Sequence, residues 1–244
     1  MASILYLPGF GDSFLNHNDF FERLCNEGYE IISFDYPGSG ASYGPLPKLQ
    51  FFNKGTNRDL TTIAKFVWNT LATRQDKRIS LSWCIGSLIA IQLAHENWLS
   101  GAIHIAPSYQ SKISTIVIFH RERHLSSASV PESDHLVPIR PQNPLQNIAF
   151  ALNIKISARK IQKLIIPKTV KGVVFYTGID DRFMFGGAHL RNRIQETAPH
   201  FTVLDYAHAK HEVHNEREEI KSQATREIFK WLKNNFGSSP YANQ

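Results

Sequence analysis

The chain has 244 residues and 42% hydrophobic content, enough for one substantial core, so a single domain over residues 1–244 is the expectation. Lys and Arg outnumber Asp and Glu by 27 to 21, but the excess is scattered and never interleaved with aromatics. That distribution argues against a nucleic-acid partner and leaves at most a mild attraction for an anionic substrate or carrier. The two cysteines, Cys25 and Cys84, fall in dissimilar segments, which speaks against a disulfide framework and for a reducing compartment. There is no basic start followed by a long apolar stretch at the N-terminus, and no run approaches the roughly 20 apolar residues of a membrane span. A cytoplasmic protein without integral membrane contact follows as an expectation.

Taken in order, the chain alternates short apolar runs with longer amphipathic stretches. That is the pattern of β-α units around a mostly parallel sheet buried on both faces. Strands are predicted at 4–7, 29–34, 78–82, 101–105, 172–176 and 201–204. Helices are predicted at 18–26, 57–73, 86–97, 186–197 and 217–235. Residues 109–167 break the alternation with several prolines, a Ser-rich piece at 126–129 and a helical stretch at 145–164. They are read as an insertion between two strands, placed to act as a cap or lid over the carboxyl ends of the sheet. The tail from Gly237 onward reads as disordered.

Three turns carry the chemistry. After the third run, Ser82-Trp83-Cys84-Ile85-Gly86 stands between a strand and a helix. It fits a nucleophile elbow of the G-x-S-x-G type with Ser82, Cys84 and Gly86 at its marked places. A strained strand-to-helix turn leaves little room two residues either side of the nucleophile, which suits Ser82 and Gly86. A thiol is a competent nucleophile, and a helix N-terminus favours thiolates in general. The cysteine leaves three readings open: a natural cysteine enzyme, an introduced substitution for serine, or a retired site. After the fifth run, Gly178-Ile179-Asp180-Asp181 offers two acids. After the sixth, His208-Ala209-Lys210-His211-Glu212-Val213-His214-Asn215-Glu216 offers three histidines.

These turns resemble the α/β-hydrolase superfamily, in particular its monoacylglycerol lipase, lysophospholipase and serine aminopeptidase-like branch, with Cys84 in place of the nucleophilic serine. The resemblance implies His211 as the base, with His208 and His214 as neighbours, and Asp181 rather than Asp180 as its acid. Leu7-Pro8-Gly9-Phe10-Gly11 looks like the family's oxyanion loop with Pro8 in the place of a histidine. The backbone N–H groups of Phe10 and Ile85 are then the oxyanion donors. Phe34-Asp35-Tyr36-Pro37-Gly38-Ser39-Gly40-Ala41-Ser42 is similar to a structural turn that shapes the floor of the site. The oxyanion loop begins only eight residues in, which implies an α/β-hydrolase fold with a shortened sheet of about six strands.

The activity implied is hydrolysis of a carboxylic ester or acyl thioester, possibly carrier-bound, by a Cys-His-Asp triad through an acyl-enzyme. Two alternatives stand beside it: an acyltransferase or cyclising thioesterase with the same triad, and a non-catalytic binding protein on the same fold. No metal or organic cofactor is required. His120-Arg121-Glu122-Arg123-His124 only loosely imitates H-E-x-x-H and lacks the Glu beside its first His. Phe119, Phe150, Leu152 and Met184 are candidates for apolar pocket lining or core.

Overall fold

A computed structural model describes residues 2–9, 12–36, 42, 57–74, 76–108, 155–177, 181 and 188–237. Among the described residues six strands follow in chain order: β1 (Ser3–Leu7), β2 (Glu30–Ile32), β3 (Arg78–Trp83), β4 (Gly101–Ile105), β5 (Lys171–Thr177) and β6 (Thr202–Tyr206). They form one sheet in the order β2-β1-β3-β4-β5-β6, every neighbour parallel. This is the α/β-hydrolase fold with the short sheet that the sequence implied.

The α-helices among the described residues are α1 (Asn18–Asn26), α2 (Asn57–Leu71), α3 (Gly86–His95), α4 (155–161), α5 (Ala188–Thr197) and α6 (Glu218–Phe236). The strands are apolar at successive positions because both faces are covered. Leu5 and Leu7 of β1 pack with Trp68 of α2 and Leu88 of α3 on one side. Ile4 and Tyr6 of the same strand pack with Leu24 of α1 and Ile228 of α6 on the other.

Element ends differ from the sequence reading where side chains or caps intervene. Strand β2 starts at Glu30 rather than 29 because the Tyr29 N–H closes α1 on Leu24 O (3.1 Å). It stops at Ile32 rather than 34, and Asp35 beyond it takes hydrogen bonds from the loop that follows β1. Helix α2 ends at Leu71 because the N–H of Thr73 is taken by the Glu30 carboxylate. Helix α3 ends at His95, not 97: Asn97 adopts φ 55°, and the N–H of Trp98 returns to Leu93 O (3.0 Å), a left-handed C-terminal cap. In the proposed insertion, 109–154 lie outside the described residues. Helix α4 falls within the stretch read as helical at 145–164.

Candidate active site

The turn from β3 into α3 is built by close packing. Cys84 adopts φ 51°, the left-handed region that a side chain disfavours. Its backbone is held by four hydrogen bonds to three residues: Cys84 N–H donates to Ile105 O (3.1 Å), and Cys84 O accepts from Ser87 N–H (3.2 Å), Ser108 N–H (3.2 Å) and Ser87 Oγ (2.5 Å). Gly86 shows why the turn needs a glycine at that position. A Cβ there would lie 2.1 Å from Leu7 O and 2.8 Å from Pro8 O, both backbone atoms. Ser82, on the other side, is fully buried, with its Oγ 2.8 Å from His104 Nδ1 and donating to Ile103 O (3.1 Å). The elbow is thereby locked to β1, β4 and the turn after β4.

The Cys84 side chain is partly exposed while its surroundings are buried. Its Sγ lies 3.3 Å from the Oγ of Ser108, a residue the sequence reading did not single out. Ile85 follows directly and precedes the first turn of α3, where backbone N–H groups have no intrahelical acceptor. Phe10, the other expected oxyanion donor, lies outside the described residues.

His211, 2% exposed, sits beyond β6. Its Nδ1 is 2.8 Å from Asp181 Oδ2. Trp83, the residue before the nucleophile position, donates its indole N–H to His211 O at 3.0 Å. Thr177, at the end of β5, donates its hydroxyl to the same Asp181 oxygen. Burial works against a charged imidazole here, but the Asp181 carboxylate and the Cys84 sulfur more than offset it, so the His211 pKa is raised to about 10. His211 and Asp181 are thus paired across 30 residues, and Trp83 ties the His211 backbone to the turn that carries Cys84.

Of the competing residues, Asp180 lies outside the described residues and His208 is exposed. His214 is fully buried and faces Tyr6 Oη (3.4 Å) and His17 Nδ1 (3.1 Å) rather than Asp181. Glu212, Asn215 and Glu216 secure the loop. Asn215 Nδ2 donates to Glu212 Oε1 (3.4 Å) and to Asn16 O (3.4 Å), and the Glu216 carboxylate accepts from the N–H groups of Lys210 (2.9 Å) and Arg217 (3.2 Å). Of the turn after β2, the described residues are tied down by Asp35. Asp35 accepts from Ser13 Oγ (3.1 Å) and Phe14 N–H (2.9 Å), and Ser42 Oγ donates to Asp35 O (2.8 Å); residues 37–41 lie outside the described set.

Behind His211 lies a second polar group that local sequence did not announce, because its members are up to 197 residues apart. His17 Nε2 is 2.5 Å from Asp12 Oδ2, and its Nδ1 is 3.5 Å from Glu212 Oε1. Burial opposes charge on His17, yet Asp12 and Glu212 raise its pKa. Burial pushes the Glu212 carboxyl up and the His214 imidazole well down. Among the described residues, His17, Glu212 and His214 form the group whose donor atoms lie close enough to hold a metal ion. The four pocket-lining candidates Phe119, Phe150, Leu152 and Met184 lie outside the described residues, as do His120 and His124. No described helix is long and apolar enough to cross a membrane.

No curated protein sequence matches the chain. Among solved structures it is similar to a soluble variant of the Saccharomyces cerevisiae monoglyceride lipase in complex with a substrate analog (TM-score 0.70, 15% identity, 98% of this chain and 87% of that one). It is also similar to the Paleococcus ferrophilus monoacylglycerol lipase (TM-score 0.65, 16% identity, 96% and 94%). A third likeness is to a thermostable carboxyl esterase from Bacillus coagulans in complex with glycerol (TM-score 0.67, 14% identity, 96% and 89%). At such identities these likenesses concern the fold. The family described as serine aminopeptidase, S33, matches residues 1–149, a span that includes the elbow at Cys84 and ends before Asp181 and His211. With more than half of its length matched, and with the sheet and elbow described above, the chain belongs to the S33 serine aminopeptidase family of α/β hydrolases.

Proposed function

We propose that the protein hydrolyses a carboxylic ester or acyl thioester through an acyl-enzyme on Cys84, with His211 as base and then acid and Asp181 orienting the imidazole. The observation that carries this reading is the left-handed Cys84 on a strand-to-helix turn whose preceding residue, Trp83, donates to the backbone of a buried His211, with His211 Nδ1 2.8 Å from Asp181. Nδ1–H donated to Asp181 leaves Nε2 for the nucleophile, the arrangement in which an imidazole relays one proton.

In the first half-reaction Cys84 Sγ bonds to the carbonyl carbon and its proton resides on His211. Collapse of the tetrahedral species breaks the carbon–oxygen or carbon–sulfur bond, and the departing alcohol or thiol takes that proton. Water then adds to the acyl-thioester, giving its proton to His211, and cleavage of the carbon–sulfur bond releases the acid while Cys84 regains a proton. The Ile85 and Phe10 backbone N–H groups are assigned to the oxyanion; loss of one such donor costs about 100- to 1,000-fold in rate. Residues 109–167 are assigned to a cap within one domain, and a small acyl ester or thioester is the ligand. The names of the similar structures, two lipases and an esterase, support an oxygen ester as the first substrate to try.

Intact mass spectrometry after incubation with activated esters and acyl thioesters tests the reading. An adduct that requires Cys84, is absent from Cys84→Ala and decays with release of acid supports it. Faster turnover by Cys84→Ser marks a scaffold built for serine, and decay only on addition of an amine or alcohol marks acyl transfer. No adduct and no turnover in the wild type or in Cys84→Ser would overturn catalysis and leave a binding protein.

A further inference from the structure

We propose that His17, Glu212 and His214 form a buried site for one divalent transition-metal ion of the zinc class, which pins the loop carrying His211 to the turn after β1. The three residues are at most 1% exposed, and their donor atoms lie within 4.8 Å of one another. His17 Nδ1 is 3.1 Å from His214 Nε2 and 3.5 Å from Glu212 Oε1. Two ligand atoms bonded tetrahedrally at about 2.0–2.2 Å stand roughly 3.3–3.5 Å apart, so the separation from Glu212 is that of neighbouring ligands around one ion, and that from His214 falls about 0.2 Å short of it. Imidazole with a carboxylate is also the donor set that zinc and its neighbours prefer.

The surrounding contacts fit as well. Asp12 Oδ2 lies 2.5 Å from His17 Nε2, and its Oδ1 accepts from Asn16 Nδ2 at 2.9 Å, so Asp12 is oriented before it meets the ring. A proton on Nε2 directed at Asp12 leaves the Nδ1 lone pair facing Glu212 and His214. This is the carboxylate–histidine–metal arrangement seen around many bound ions. The Tyr6 hydroxyl, 3.4 Å from His214 Nε2, stands at the distance of a fourth ligand or of the partner of a bound water. Two carboxylates, Asp12 and Glu212, are enclosed there beside His17, and a dication would offset both. The site joins residues 195 and 197 apart in the chain and is independent of what Cys84 does. Its full burial assigns the ion a structural part rather than a reacting one.

The full-length protein is produced in medium supplemented with Zn2+ or with Co2+, passed over a chelating resin, and its metal per chain counted by elemental mass spectrometry. Stoichiometric metal is expected, with a tetrahedral Co2+ absorption that lacks a sulfur-to-metal charge-transfer band. Cys84→Ala should keep it, whereas the near-isosteric Glu212→Gln and His214→Gln should retain at least 10-fold less ion. Wild-type protein without stoichiometric metal would overturn the site. So would a sulfur charge-transfer band lost in Cys84→Ala, because the ion would then lie between Cys84 and His211. Should either ligand variant fail to fold by circular dichroism, the wild-type and Cys84→Ala spectra decide alone.

Discussion

The backbone at Cys84 lends itself to a direct measurement of stored strain. With φ at 51°, a Cβ at this position approaches the following carbonyl oxygen, at a cost of about 1–2 kcal/mol that glycine escapes. Comparing wild type with a single variant would mix this strain with the Sγ–Ser108 contact, so the informative pair is Cys84→Ala against Cys84→Gly, which lack the thiol equally. In ordinary backbone the alanine variant would be the more stable by about 0.4–1 kcal/mol, through the smaller entropy of its unfolded chain. At this turn the order should reverse, with Cys84→Gly more stable by roughly 1 kcal/mol after the two effects are set against each other. For a chain of this length that corresponds to about 2–4 °C in Tm. Thermal and urea unfolding of both variants measures it, and equal denaturant slopes show that the unfolded states are comparable. An alanine variant as stable as the glycine variant would refute the idea that the nucleophile position is held under strain by its hydrogen bonds to Ile105 and Ser108.

Three more outcomes follow from the same geometry. Gly86→Ala puts a Cβ 2.1 Å from Leu7 O, backbone that β1 and β3 hold in five-residue register, so it should destabilise by at least about 3 kcal/mol in urea unfolding; a loss below about 1 kcal/mol would show that the elbow can yield. Asp181→Asn should leave the thermal midpoint within a few degrees while lowering acyl-enzyme formation about 100- to 10,000-fold, read as the rate of adduct formation by mass; an unchanged rate would remove Asp181 from the mechanism. His104 is fully buried and burial lowers its pKa to about 3, against an unfolded value near 6.5, so the unfolded chain binds one more proton between these values and stability falls as pH drops below 6.5. Relative to His104→Asn, which keeps an N–H donor for Ser82 Oγ, wild type should lose about 2 kcal/mol between pH 7 and pH 5, and a pH-independent difference would refute that assignment.

The sequence alone determined the layered architecture, because alternation of apolar runs with amphipathic stretches is a local property set by backbone periodicity. Each of the six strands was legible as a run such as 101–105, and the elbow was legible because steric crowding at a strand-to-helix turn restricts residues within five positions of one another. Cys84 stood out by the elbow pattern, whereas Asp181 and His211 were chosen over Asp180, His208 and His214 by resemblance to the α/β-hydrolase loops. The tertiary structure decided what depends on contacts between distant segments. Residues 82 and 104 face each other only because β3 and β4 are neighbours in register. Trp83 reaches the carbonyl of His211 across 128 residues, and Ser108 reaches the sulfur of Cys84 across 24. His17 was not singled out in the sequence and His214 stood only as a neighbour of His211, and only the docking of the turn after β1 against the loop after β6 brings them to 3.1 Å. Periodicity specifies which face of an element is buried, whereas the partner that each buried polar atom meets is fixed only when the sheet closes its order.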